Sequence, residues 1–161
     1  MLLFLFLLLL FSLLLLFLYL GVFKLYFREL ADPLLTFDLY GEFTASETCT
    51  SLEAKIGYTR NLIRQLPEEN QKTLKYLIEL LKMTDARKTE NSMAIHNLAT
   101  VFGPNLLKSK NETMFSMAAA TAQTNGVVHT LIEGYQHIFG DEEYSLPLDR
   151  PVGTYSRVGR A

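Results

Sequence analysis

Apolar residues recur at helical spacing along most of this 161-residue chain. In three segments, four such residues stand at positions i, i+3, i+4 and i+7, which places them on one face of an α-helix. These stripes are Leu74, Leu77, Ile78 and Leu81; Ile95, Leu98, Ala99 and Phe102; and Val128, Leu131, Ile132 and Tyr135. No segment alternates polar and apolar residues for long enough to predict a β-strand. The pattern therefore predicts an all-α architecture.

Cap and turn signals predict where these helices begin and end. Shorter helices are expected over residues 38–46 and 51–65, and Pro67 begins the helix that carries the first stripe. The polar residues 85–91 predict a loop. Asn91 or Ser92 is expected to cap the helix of the second stripe, which Gly103 and Pro104 are expected to end, while Gly140 ends the last helix.

The first 23 residues contain 13 Leu, 5 Phe and no charged side chain. About 20 apolar residues suffice to cross a bilayer as a helix, so residues 1–23 predict a long apolar helix and a candidate transmembrane span. Lys24 and Arg28 follow at once, which favours a C-terminal part in the cytosol. The alternative is an aberrant start of the chain. We expect residues 24–140 to form the folded domain and residues 141–161, which lack periodicity, a disordered tail.

Composition excludes several classes of function. The net charge of −2 offers no broad basic surface for nucleic acid, and the single cysteine, Cys49, excludes both a disulfide framework and a cysteine-based zinc site. The three histidines form no H-E-x-x-H pair, and the chain has neither a phosphate-binding G-x-x-x-x-G-K loop nor a G-x-S-x-G turn. We therefore expect no metal, no cofactor and no enzymatic activity of its own.

Two segments mix polar residues into helical faces: KLYFRELADPLLTFDLY at 24–40 and SMAIHNLATVFGPNLL at 92–107. Lys24 and Arg28 lie four residues apart and so share a helical face, and Asn97 lies in a helix whose other face is apolar. As patterns alone, such cations most often form a solvated face, and a helical asparagine is usually just exposed. The helical periodicity alone does not assign a function to these residues.

Together these segments closely resemble the GTPase-activating (RhoGAP) domain of the Rho family, with its signature L-K-x-[YF]-[FL]-R-E-L-P-x-P-L and later N-L-A-x-V-F-G-P-x-L. RQLPEENQKTLKYLIELL and NGVVHTLIEGYQHIF are similar to two further helices of that domain. The resemblance covers about residues 24–139, with Ala31 in place of the first proline. It implies a helical bundle that binds Rho, Rac or Cdc42-type small GTPases in their GTP-bound state and regulates signal transduction.

The resemblance also implies roles for individual residues. Lys24 and Arg28 match the family's basic pair on the GTPase-binding helix, Asn97 matches its functional asparagine, and Asn125 matches a further one. The family's catalytic arginine belongs to a G-[IVL]-[FY]-R-x-x-G loop upstream of the first motif, and this sequence contains no such loop. The arginines other than Arg28 match no finger position: Arg60, Arg64, Arg87, Arg150, Arg157 and Arg160.

The expected fold is thus a truncated RhoGAP-like bundle preceded by an apolar helix, and its expected activity is that of an impaired GTPase activator. A membrane-anchored, catalytically silent GTPase-binding or scaffold protein is the alternative, with membrane contact through residues 1–23. A non-functional fragment that aggregates is the third reading.

Overall fold

A computed structural model describes residues 21–110 and 114–140 of the chain, and every regular element within them is a helix. The predicted all-α class is confirmed. The helices are α1 (helical from 21 to 28 in the described part), α2 (Tyr40–Ser46), α3 (Leu52–Ile63), α4 (Glu68–Ala86), α5 (Lys88–Asn91), α6 (Ile95–Leu106), α7 (Met114–Glu133) and α8 (Tyr135–Phe139).

The helices enclose one apolar core, with α6 and α7 packed along each other. All three predicted stripes point into this core, although Ile95 is only partly buried. Phe43 of α2 and Leu62 of α3 complete it from the other side. One contiguous core of this kind is what holds short helices in place, since few of them would be stable alone.

Several predicted helix ends are confirmed. Ser51 caps α3, because its side-chain oxygen accepts a hydrogen bond from the Ala54 N–H at 3.2 Å. Pro67 directly precedes α4, and its carbonyl accepts the Gln71 N–H at 3.0 Å. Gly140 ends α8 with φ of +87°, a backbone conformation that L side chains rarely adopt.

The loop predicted over residues 85–91 is wrong, because α4 continues to Ala86 and α5 occupies Lys88–Asn91. No proline or glycine interrupts this polar stretch. Asn91 does not cap α6 either. Its amide donates to the Thr84 carbonyl near the end of α4, at 2.8 Å, and its oxygen accepts the Met93 N–H.

The cap of α6 comes from a residue distant in sequence. Ala94 holds the N-cap position without a side-chain hydrogen bond, and Asp85 Oδ1 accepts the Ile95 N–H at 2.8 Å. The prediction that Asn91 or Ser92 caps this helix is therefore wrong. A carboxylate beside a helix N-terminus is favourable, because it accepts an otherwise unpaired N–H and opposes the helix dipole.

The predicted stop at Gly103 and Pro104 is also wrong, since α6 includes both residues and ends at Leu106. Pro104 lacks an N–H and cannot bond to the carbonyl four residues before it. Two contacts compensate for this loss near the helix end. Leu106 and Leu107 are almost completely buried, and the Leu106 carbonyl accepts the Leu35 N–H at 3.1 Å.

Most of the predicted apolar leader lies outside the described residues, as does the predicted tail at 141–161. Residues 21–23 are described, and they belong to α1. Within residues 21–110 and 114–140, no helix is both long enough and apolar enough to cross a membrane.

Candidate functional site

Helix α1 carries Lys24 and Arg28 on its exposed side. Another side of α1 contacts the bundle, because the ring of Phe23, although 37% exposed, packs edge-on against Phe102 of α6 at 6.3 Å. Phe27 itself is buried in the core. The two cations therefore extend from a helix whose other face is fixed.

The end of α1 is held by a second residue from the α6 region. Lys108 Nζ donates a hydrogen bond to the backbone carbonyl of Arg28, which lies in the last turn of α1. A cation at this position also suits the negative end of the helix dipole. The Arg28 side chain remains about two-thirds exposed, and its Nε lies 3.9 Å from Glu29 Oε1. An exposed pair at this distance restrains the guanidinium very little.

A groove of about 610 Å³ opens beside Arg28. The end of α1, the C-terminal part of α6 and the middle of α7 form its walls. Its polar lining comprises Arg28, Glu29, Asn105, Lys108, Thr121 and Thr124. The groove thus places amide and hydroxyl groups next to an exposed guanidinium.

Asn97 occupies the first turn of α6 and is partly exposed. Its Nδ2 donates to the carbonyl of Ser92 at 3.0 Å. Ser92 follows α5 in a left-handed conformation with φ of 58°, so this bond joins the end of α5 to the start of α6. The Asn97 Oδ1 accepts no hydrogen bond from the described part of the chain.

Asn125 lies on α7 next to α6. In the orientation that satisfies its amide, the nitrogen donates to the Ala99 carbonyl at 3.1 Å and to the Thr121 carbonyl at 3.2 Å. A Cβ added at Gly103 would lie only 2.4 Å from this amide. Asn125 is therefore packed between the two helices, unlike the exposed Lys24 and Arg28.

The four predicted site residues all lie on α6 or on the helices next to it. Phe23 of α1 lies beside Phe102, and Arg28 lies beside Lys108, so α1 follows α6 in the same direction. Asn97 stands near the start of α6, about 13 Å of helix rise before Leu106 at 1.5 Å per residue. Polar groups distributed along two neighbouring helices, α1 and α6, suit the surface of a protein partner better than a small molecule. Among the described residues, no three His, Cys, Asp or Glu side chains are grouped so as to hold a metal ion.

The sequence matches the family model of the RhoGAP domain over residues 17–111. The chain belongs to the RhoGAP family. Rho GTPase-activating protein gacJJ of Dictyostelium discoideum is 36% identical over 129 residues, covering 76% of this chain and 15% of that protein. Human Rho GTPase-activating protein 10 is 34% identical over 116 residues, covering 72% and 15%.

Solved structures agree with this assignment. Human Rho GTPase activating protein 15 superposes with a TM-score of 0.70 at 32% identity, covering 74% of this chain and 56% of that one. The BH domain from Graf, the GTPase regulator associated with focal adhesion kinase, gives 0.65 at 29% identity, covering 72% and 62%. The RhoGAP-like helical fold is thereby confirmed. The chain spans 15% of the length of gacJJ.

Sequence reasoning missed a residue that positions the first RhoGAP motif. Asn70 of α4 donates from Nδ2 to the Leu34 carbonyl at 2.9 Å, which ties the segment after α1 to a different helix. Asp32 Oδ1 accepts the Phe37 N–H at 2.8 Å and closes the turn in which Thr36 has φ of 60°. The position of Asn70 in L-P-E-E-N could have indicated this role, because a polar residue next to a buried apolar stripe needs a hydrogen-bond partner.

A partly buried carboxylate was missed as well. Glu47, with 14% of its side chain exposed, forms an ion pair with Lys55 at 2.8 Å and accepts the Thr130 hydroxyl at 3.1 Å. Gly126 of α7 leaves room for it, because a Cβ there would lie 2.4 Å from Glu47 Oε2. Gly126 has a low helix propensity, but its lack of a side chain allows α7 to pack against the segment after α2.

Proposed function

We propose that this chain regulates Rho-family small GTPases by binding a Rho, Rac or Cdc42-type protein in its GTP-bound state. Membership of the RhoGAP family is the observation that carries the proposal. The exposed cations of α1 support it, because Lys24 and Arg28 extend from a helix fixed by Phe23, Phe27 and Lys108. Rigid placement of charged groups lowers the entropic cost of binding.

The chemistry of these side chains suits a protein partner. The Arg28 guanidinium offers a planar set of donors for carboxylates and carbonyls, whereas the Lys24 ammonium acts as a compact point charge. Asn97 uses one amide N–H within the chain, so its oxygen and second N–H remain for a partner. We assign Asn125 a positioning role, since its amide bonds to Ala99 and Thr121 inside the bundle.

We further propose that the 161 residues on their own stimulate GTP hydrolysis only weakly. The RhoGAP family supplies an arginine to the phosphoryl group from a G-[IVL]-[FY]-R-x-x-G loop, and that motif is absent from this sequence. An arginine finger contributes about 10³- to 10⁵-fold to the rate. Binding without strong activation is therefore the expected behaviour of this chain, and the cytosol, where such GTPases are met, is the proposed location.

The test is binding and single-turnover hydrolysis with the full 161-residue chain. We expect preference for the GTPase loaded with a non-hydrolysable GTP analogue over the GDP form. The double variant Lys24→Ala with Arg28→Ala should weaken binding by at least about tenfold, since each charge-assisted contact is worth about 1.5–3 kcal/mol. Arg60→Ala with Arg64→Ala is the matched control, because it removes two exposed cations that also stand four residues apart on one helix, α3.

Two results would contradict the proposal. Equal binding by the α1 variant and the wild-type chain would remove Lys24 and Arg28 from the interface. Stimulation of hydrolysis equal to that of an intact RhoGAP domain would refute the weak activity. Vesicle flotation distinguishes the alternative function, a membrane-anchored and catalytically silent GTPase-binding protein. Such a protein would bind the GTPase, float with neutral lipid vesicles and leave the rate of GTP hydrolysis unchanged.

A further inference from the structure

A second charged surface lies away from α1, between α3, α4 and the end of α8. Arg60 and Arg64 approach it from α3, and Lys72 and Lys75 approach it from α4. These four cations line a groove of about 370 Å³, which we term the basic groove. The basic groove shares no lining residue with the groove beside Arg28.

Helical spacing directs these side chains to the same place. Arg60 and Arg64 are four residues apart on α3, and Lys72 and Lys75 are three apart on α4, so each pair shares a helix face. The two faces look onto one groove, whose floor includes Ile63 and Ile138. The cations are therefore concentrated by the packing of two helices, in a chain whose net charge is −2.

The charge of the basic groove is only partly neutralised. Among the described residues that line it, Glu68 is the one acid, and its carboxylate lies 2.7 Å from the Lys72 ammonium, which also lies 3.9 Å from Glu69 outside the groove. No acidic side chain in the described part of the chain forms an ion pair with the guanidinium of Arg60 or Arg64. The two arginines therefore keep a local positive charge on the α3 wall of the basic groove.

We propose that the basic groove binds the phosphate groups of a small polyanion of the inositol phosphate type, whether free or as a lipid headgroup. Two neighbouring guanidiniums match phosphate oxygens with paired N–H donors, and the lysines add point charges at the other wall. A volume of about 370 Å³ lies in the range of small-molecule sites. Two guanidiniums without an acidic partner in the described part of the chain favour a ligand with at least two negative charges, which a single carboxylate lacks.

Titration of the full 161-residue chain with inositol 1,4,5-trisphosphate tests the site directly. We expect saturable binding that weakens as salt rises, because exposed charges are screened. Arg60→Gln with Arg64→Gln should weaken it at least about tenfold, since both guanidiniums lose charge-assisted contacts. Arg60→Lys with Arg64→Lys keeps the charge but removes the paired donors, so an intermediate loss is expected.

The matched control is the double variant Arg87→Gln with Lys88→Gln, which removes two cations outside the basic groove. Its affinity for the trisphosphate should stay within about twofold of wild type. Circular dichroism must show the same helix content and melting for all variants, as expected for exposed side chains. No saturable binding by a folded wild-type chain, or equal binding by the Arg60→Gln/Arg64→Gln variant, would overturn the proposal. So would equal or tighter binding of polyglutamate, which would indicate an acidic peptide site.

Vesicles separate the two sources of the phosphate. Binding to phosphatidylcholine vesicles with phosphatidylinositol 4,5-bisphosphate is compared with binding to phosphatidylcholine alone, so that any partition of the apolar residues 1–23 cancels in the ratio. A ratio well above one that the double glutamine variant abolishes identifies the lipid headgroup. A ratio of one with retained trisphosphate binding identifies the free compound. The same variants should bind the GTPase like wild type, which keeps this site distinct from α1.

Discussion

The hydroxyl of Tyr135 lies inside the bundle with only 5% of the residue exposed, and it forms no hydrogen bond within the described part of the chain. Oε2 of Glu79 is also buried and also forms no hydrogen bond within the described part of the chain. Burial, reinforced by the negative charge of Glu79, raises the pKa of Tyr135 to about 12. The neutral phenol is thus the form that the fold accepts, and the Lys82 ammonium lies 5.0 Å from its ring centroid.

This raised pKa predicts a loss of stability in alkali. An unfolded tyrosine ionises near pH 10, so the contribution of Tyr135 is complete below about pH 10 and disappears as pH rises through about 12. Between these limits the free energy of unfolding should fall by at most about 1.4 kcal/mol per pH unit. Tyr135→Phe should remove this part of the pH dependence, because phenylalanine has no proton to lose.

Urea unfolding at several pH values between 8 and 12 gives the free energy of unfolding of the wild type and of Tyr135→Phe. The difference between the two proteins measures the contribution of Tyr135 at each pH. Tyr58→Phe is the control, because Tyr58 is 42% exposed and its hydroxyl reaches solvent. Parallel curves for wild type and Tyr135→Phe would show that Tyr135 does not ionise differently in the folded state.

The contact between α6 and α7 depends on the absence of a side chain at Gly103. A Cβ there would lie 2.4 Å from the Asn125 amide and 3.0 Å from backbone atoms of Asn125 and Thr124. A side-chain amide could turn away, whereas the backbone of α7 can move only with the whole helix. Gly103 is therefore required for the close approach of α6 and α7.

Gly103→Ala is expected to lower the free energy of unfolding by about 1–3 kcal/mol, the usual cost of overpacking a core. Gly57→Ala is the matched control on α3, where a Cβ meets no atom within 4 Å. It should raise stability by about 0.5–1 kcal/mol through helix propensity. Chemical denaturation at neutral pH compares the two, and equal effects of the same sign would contradict the role given to Gly103.

All the described helices except α5 contribute to one core, and the molecule is expected to unfold as one unit. Leu74 and Ile78 of α4, Leu106 of α6 and Leu131 of α7 are fully buried together. Hydrogen bonds between segments distant in sequence also favour unfolding as one unit. Examples are the bond from Asn70 to Leu34 and the bond from Leu35 to Leu106. A shared core of this size commonly gives two-state behaviour.

Thermal unfolding of the full chain should therefore show one transition that coincides by far-ultraviolet and near-ultraviolet circular dichroism. Leu131→Ala should lower the free energy of unfolding by about 2–5 kcal/mol and shift both signals equally. Leu80→Ala, which changes a leucine that is 44% exposed on α4, should have little effect. Broad or separated transitions would instead support the reading of the chain as a non-functional fragment that aggregates.

Local patterns were enough to predict the helical class, the three core stripes and the family. A stripe at i, i+3, i+4 and i+7 depends only on the pitch of the helix, and Ser51 and Gly140 act on residues within a turn of themselves. Motif spacing is likewise a property of the linear chain. These features needed no knowledge of which helix packs against which.

Tertiary contacts supplied what those patterns lacked. The cap of α6 is Asp85, ten residues earlier, and Pro104 stays helical because Leu106 is buried and bonded to Leu35. Asn97 and Asn125 look equivalent in the sequence and are both partly exposed, but Asn97 bonds to the nearby Ser92 whereas Asn125 bonds between α6 and α7. The basic groove exists because α3 and α4 are adjacent. Each of these depends on residues brought together by the shared core, which no local period encodes.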